Sequence, residues 1–121
     1  AEISETHHRA KKDAPSGTAL QLGEAVAEAR AQKFADVAIY DRSDLSAGRP
    51  AQAIGFASIR AGSIVGDHTV LLASDEEVLE LTHRATDRAL FARGALRAAA
   101  WLKDQPAGLY SMPDVLGLSA R

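Results

Sequence analysis

IGFASIRAGSIVGDHTVLLASDEEVLELTHRA, residues 54–85, is the stretch that decides the fold. Its first part alternates: Ile54, Phe56 and Ser58 point one way, Ala57 and Ile59 the other, which is the period-two signature of a strand. Gly62 and Gly66 punctuate the run. His68–Ser74 carries the apolar block VLLA, which suits a strand buried on both faces. The segment SDEE makes a turn, and Val78–Arg84 alternates as VLELTHR, a half-buried strand. Two adjacent runs joined by a short acidic turn predict an antiparallel hairpin.

Upstream, residues 36–53 are mixed. A short strand around Val37–Tyr40 precedes DRSDLSAGRP, a loop rich in turn residues. Farther back, Pro15 disfavours helix at Ala14, so a helix begins at or after Pro15, with Ser16 as the N-cap candidate. Ala19, Leu22, Val26 and Ala29 recur at helical spacing and carry it to about residue 32. Residues 1–8 alternate weakly and read as a strand entering the loop HHRAKKDAPSG. Downstream, residues 88–103 form a second long helix with a broad apolar face, in which Phe91 and Trp101 are core residues. Gly94 weakens it by about 1 kcal/mol relative to Ala. Gln105–Gly108 ends it, and MPDVLGL adds one more helical turn. The architecture expected is one α+β domain over residues 1–121: a mixed or largely antiparallel sheet of about four strands with helices on one face.

Bulk properties narrow the function. With 46% hydrophobic and 25% charged residues, the chain reads as an ordinary soluble protein. Its net charge of -2 argues against nucleic acid, whose binders carry a basic excess on one face. The absence of cysteine excludes disulfides, thiolate metal sites and cysteine nucleophiles. No apolar run approaches the roughly 18 residues that span a bilayer, so no membrane partner is expected, and a cytoplasmic location is the default. Neither GxGxxG nor GxxxxGK[ST] occurs; no Rossmann domain and no cofactor-binding residue are expected in these 121 residues. The chain lacks an initiator Met and begins inside a strand, as expected of a piece of something longer.

The chemistry gathers in ETHHRAKKDAPSGTA, residues 5–19. His7, His8, Arg9, Lys11 and Lys12 fall just before a glycine-containing helix start. A helix N-terminus offers free N–H groups and a partial positive charge. Ser16, Gly17 and Thr18 would gather such groups and two hydroxyls around one point, and Gly17 lets a ligand approach the backbone closely. Two readings stay open on composition: a carboxylate- or phosphate-binding site, or a solvated basic loop with an ordinary cap. A zinc site at His7 and His8 is disfavoured, since adjacent strand residues point apart and no third ligand lies at a usual spacing; no metal site is expected. A Ser16–His hydrolase lacks its elbow motif. Arg60, His68 and His83 read as structural or interfacial positions.

The HH, two residues, K, one residue, DAPSGTA pattern of residues 7–19 resembles the signature loop of dihydrodipicolinate (4-hydroxy-tetrahydrodipicolinate) reductases. IGFASIRAGSIVGDHTVLLAS resembles that family's sheet segment. Glu80–His83, followed by Asp87, Arg88, Phe91, Gly94 and Ala95, resembles its last strand and long helix. The resemblance covers nearly the whole chain. It implies the substrate-binding and tetramerisation domain of an oxidoreductase that uses NADH or NADPH to reduce a cyclic dicarboxylate in the diaminopimelate route of lysine biosynthesis. It also implies a nucleotide-binding domain ahead of residue 1 as the partner of this one, and a homotetramer. Residue by residue, it implies an acid/base role for His7, a proton-donor role for Lys11, and substrate binding by His8, Ser16, Gly17 and Thr18. The alternative is a stand-alone anion-binding or structural oligomerisation module without a catalytic role.

Overall fold

A computed structural model describes residues 1–44, 46 and 48–118, in two compact units spanning residues 1–86 and 87–121. The first unit contains β1 (Glu2–His7), α1 (Gly17–Ala29), α2 (Phe34–Val37), β2 (Ala38–Ile39), β3 (Ile54–Arg60), β4 (Gly66–Ala73) and β5 (Val78–Ala85). They make one mixed sheet in the order β2-β3-β1-β4-β5. β1 pairs parallel with β3 and antiparallel with β4, and β4 pairs antiparallel with β5. The α+β class and the β4–β5 hairpin are those expected. The sheet has five strands where about four were expected; the short strand expected around Val37–Tyr40 is the two-residue β2, which follows directly on α2. A parallel pair cannot be closed by a tight turn; here α1 lies on the connection from β1 to β3.

Cross-strand partners share a face, so the registers sort the side chains. Ile3 lies between Phe56 and Val70, Glu5 between Ser58 and His68, and His68 opposite His83. The row through Ile3 is covered by α1 and forms the core, with Ile3 and Ile54 fully buried. The helix presents Ala19, Gly23 and Ala27, four residues apart, as its buried face. These small residues let the helix approach closely: a Cβ on Gly23 would come within 2.9 Å of the Phe34 ring and collide with that of Phe56. Leu22 and Val26 flank this seam half-buried, while Ala29 ends the helix exposed, three residues short of the expected end.

Two strand expectations are corrected. β4 buries Gly66 and Val70 but leaves Leu71 and Leu72 only half-buried, so it is not covered on both faces. β5 is exposed along its length except at Ala85, where a half-buried strand was expected. The physical reason is the width of the cover: α1 packs across β1, β3 and β4, and a single helix about 10 Å wide does not span a five-stranded sheet.

The second unit holds α3 (Ala89–Leu102) and α4 (Met112–Leu116). Phe91 and Trp101 were both expected in a core, but Phe91 is exposed and Trp101 is only half-buried, packing edge-on against Tyr110 at 5.2 Å. α4 starts with a Ser111–Asp114 capping box and ends at Gly117, whose φ of 69° suits glycine.

Candidate functional site

The site is built where β1 ends and α1 begins. β1 ends at His7, so His8 already belongs to the loop, as the use of both histidines in one place requires. The Ala61 N–H donates to the His7 carbonyl and the Arg9 N–H to that of Gly62, which ties the loop start to the end of β3. The Ala14–Pro15 peptide is cis. Ser16 then caps α1: its hydroxyl accepts the Ala19 N–H at 3.3 Å.

Beneath this turn lies Glu5, only 2% exposed. Arg60 reaches it from β3 as a fork, Nη1 to Oε2 and Nη2 to Oε1, each at 2.8 Å. The second arm of the same guanidinium donates to the Asp13 carbonyl at 2.6 Å. His7 Nδ1 lies 2.5 Å from Oε2, and the Ser16 N–H donates to Oε1 at 3.2 Å. Burial alone would raise the Glu5 carboxyl. Hydrogen bonds from Arg60, His7, Ser58 and the Ser16 backbone outweigh it and bring the group to about 2. Glu5 is therefore ionised at neutral pH.

Behind His7 stands His68 of β4, the rings edge to face with centroids 5.0 Å apart. His68 Nε2 is 3.1 Å from the Ser16 hydroxyl. Burial, followed by the nearby His7 and His83, holds the His68 imidazole below its ordinary value. Gly66 leaves space beside His7: a Cβ there would lie 3.1 Å from His7 Nε2. An open groove of about 400 Å³ adjoins these groups, lined by Thr18 and Leu22 of α1, His68 and Val70 of β4, and Leu81, Thr82 and His83 of β5.

The expected residues divide. Gly17 and Thr18 are exposed as the first two residues of α1, where N–H groups have no partner within a helix. A Cβ on Gly17 would meet nothing of the protein within 4 Å. Ser16, expected to offer a hydroxyl and an N–H to a ligand, is instead buried with both groups engaged by the protein. Lys11 sits on the same loop, its ammonium 2.9 Å from Asp13. His8 is half-buried. Glu5 and its pairing with Arg60 were not foreseen, although a signal existed: Glu5 stands two residues before His7 and so shares its strand face. Among the described residues no three His, Asp or Glu side chains converge in a way that could hold a metal ion.

A buried, ionised carboxylate thus holds a histidine beside a helix start with open N–H groups. Such an arrangement can bind an anion and hold a proton next to it. The family described as "Dihydrodipicolinate reductase, C-terminus" matches residues 1–116. The 4-hydroxy-tetrahydrodipicolinate reductase of Halorhodospira halophila (strain DSM 244 / SL1) is 57% identical over 117 residues, a match that takes in 97% of this chain and 44% of that protein. The chain therefore spans less than half the length of that curated relative. Among solved structures it is similar to the dipicolinate-bound dihydrodipicolinate reductase from Paenisporosarcina sp. TG-14, with a TM-score of 0.68 and 24% identity over 93% of this chain and 43% of the other. At that identity the likeness speaks for the fold alone.

Proposed function

We propose, for a chain that belongs to the family of dihydrodipicolinate reductase C-terminal domains, that it is the substrate-binding part of a 4-hydroxy-tetrahydrodipicolinate reductase acting in the diaminopimelate route to lysine. The observation that carries this reading is the open N–H pair of Gly17 and Thr18 beside His7, on the loop that also holds Lys11. One carboxylate of the cyclic dicarboxylate docks on the helix start, where dipole and N–H donors favour it. Ser16 keeps that turn in shape and His8 flanks the ligand. Lys11 adds attraction for the anion and is the proposed proton donor; His7 is the acid/base group.

The residues of this chain do not fit a nicotinamide nucleotide: the β1–α1 connection, HRAKKDAPS, has no glycine-rich phosphate turn. NADH or NADPH supplies the hydride in the whole enzyme and is held by a separate nucleotide-binding domain. The work of this chain is to bind and orient the dicarboxylate and to hold the proton. A homotetramer is part of the proposal. The apolar side chains of Val78, Leu79 and Leu81, more than half exposed on β5, support such an interface. A cytoplasmic location accords with an amino-acid biosynthetic role.

Titration with pyridine-2,6-dicarboxylate tests the reading. The parent chain binds it, and Gly17→Val weakens binding roughly ten- to a hundred-fold, because each charge-assisted hydrogen bond lost costs about 1.5–3 kcal/mol. Melting changes little, since the new side chain meets open space. Equal binding by Gly17→Val removes the helix start as the carboxylate site.

A further inference from the structure

We propose that Glu5, with Arg60 as its counter-ion, is a positioning residue that locks His7 to the start of α1 and fixes the His7 imidazole as the Nδ1–H tautomer, leaving Nε2 as its basic atom. The consequence for catalysis rests on the reading of His7 as the acid/base group; the tautomer itself does not.

The argument starts from an inventory of donors. Oε2 of Glu5 faces His7 Nδ1 and Arg60 Nη1, and Oε1 faces Arg60 Nη2 and the Ser16 N–H. Guanidinium and backbone amide groups only donate. A carboxylate gripped by a guanidinium fork in a buried place is ionised, and an ionised carboxylate only accepts. The remaining neighbour, His7 Nδ1, must therefore carry a hydrogen. In a neutral imidazole one nitrogen donates and the other accepts, so Nε2 is bare. An unconstrained histidine prefers the opposite tautomer, so the preference comes from Glu5. The charged and titratable groups facing His7 agree with this arrangement: Glu5 of its own strand, Arg60 of β3 paired to Glu5, and His68 of β4, with His83 of β5 beyond it.

Space and connectivity support the same role. Nε2 points to the place where Gly66 lacks a side chain, so the bare nitrogen is not pressed by a Cβ. Glu5 also holds the backbone of Ser16, the cap of the helix whose next two N–H groups form the proposed anion site. One carboxylate thus sets the ring that handles the proton and the helix start that receives the charge. Among the described residues it is the only acidic side chain that is buried, which a role confined to surface pairing would not require.

The test is long-range proton–nitrogen correlation NMR on the chain labelled with 15N-histidine, at about pH 8.5, two units above the ordinary histidine value, with the His7 signals assigned by His7→Gln. The parent shows His7 protonated at Nδ1 and bare at Nε2. In Glu5→Gln the amide oxygen takes the place of Oε1 and accepts from Arg60 Nη2 and the Ser16 N–H, so Arg60 stays held through that arm, while the amide NH2 takes the place of Oε2 and faces His7 Nδ1 and Arg60 Nη1. The ring then switches to Nε2–H, while Arg60 and the fold remain. A parent His7 in the Nε2–H form overturns the proposal without any variant, so a Glu5→Gln chain that does not fold leaves it decidable. A folded Glu5→Gln chain that keeps the Nδ1–H tautomer overturns it equally. Failure of the parent to bind pyridine-2,6-dicarboxylate is a separate result that strikes the functional reading, and the tautomer measurement stands apart from it.

Discussion

Lowering the pH should unload the Glu5 pair and destabilise the fold by an amount that can be worked out. The Glu5 carboxyl sits at about 2 against an ordinary 4.5, and a separation of one pH unit corresponds to about 1.4 kcal/mol. The anion therefore contributes about 3 kcal/mol of stability, a large fraction of the roughly 5–15 kcal/mol that holds a small domain folded. The sign follows from the depressed folded value: unfolding makes the carboxyl take up a proton, so acid favours the unfolded chain. The contribution is complete above pH 4.5 and is lost as pH falls from 4.5 to 2. Glu5→Gln isolates it, because a protonated glutamic acid and glutamine are close in shape and both neutral. At pH 7 the variant is less stable than the parent by about 3 kcal/mol, which matches the lower end of the cost of breaking a buried ion pair; near pH 2 the gap nearly closes. Asp13, Asp41 and Asp44 are also held below their ordinary range, but they are exposed and common to both chains, so they cancel in the difference. Urea unfolding of both chains at several pH values between 7 and 2.5, with the slopes compared to confirm the same transition, measures the gap. A gap that stays constant across that range refutes the idea that the ionised Glu5 carboxylate is what Arg60, His7 and Ser16 hold.

Two further outcomes follow from the same geometry. Gly66→Ala places a Cβ 3.1 Å from His7 Nε2; His7 signals should shift in NMR while the melting temperature moves by only a few degrees, as for a loss of about 1 kcal/mol, and an unchanged His7 spectrum counts against the crowding. Self-association through β5 should show as a concentration-dependent mass in ultracentrifugation, reduced by Leu79→Lys with Leu81→Lys, both residues being more than half exposed; a parent that stays monomeric at micromolar concentration removes that interface.

What the sequence by itself determined is local. Alternation marked β3 and β5, the apolar block VLLA marked β4, the acidic turn gave the hairpin, and Pro15 with Ser16 set the start of α1 to within a residue, because strand period, proline sterics and capping act over a few positions. The loop from His7 to Thr18 carried the proposed site for the same reason: its groups are neighbours in the chain. What only the tertiary structure decided is non-local. Glu5 meets Arg60 across 55 positions, and Ser16 meets His68 across 52. Those meetings exist because β1 lies between β3 in parallel and β4 in antiparallel, with one register bringing Ser58, Glu5, His68 and His83 into a single row. Periodicity assigns a side chain to a face of its own strand but carries no information about which strand lies beside it. The exposure of β5 has the same origin, since whether an apolar strand is covered depends on how far α1 reaches across the sheet, a distance set by packing and not by the strand's own residues.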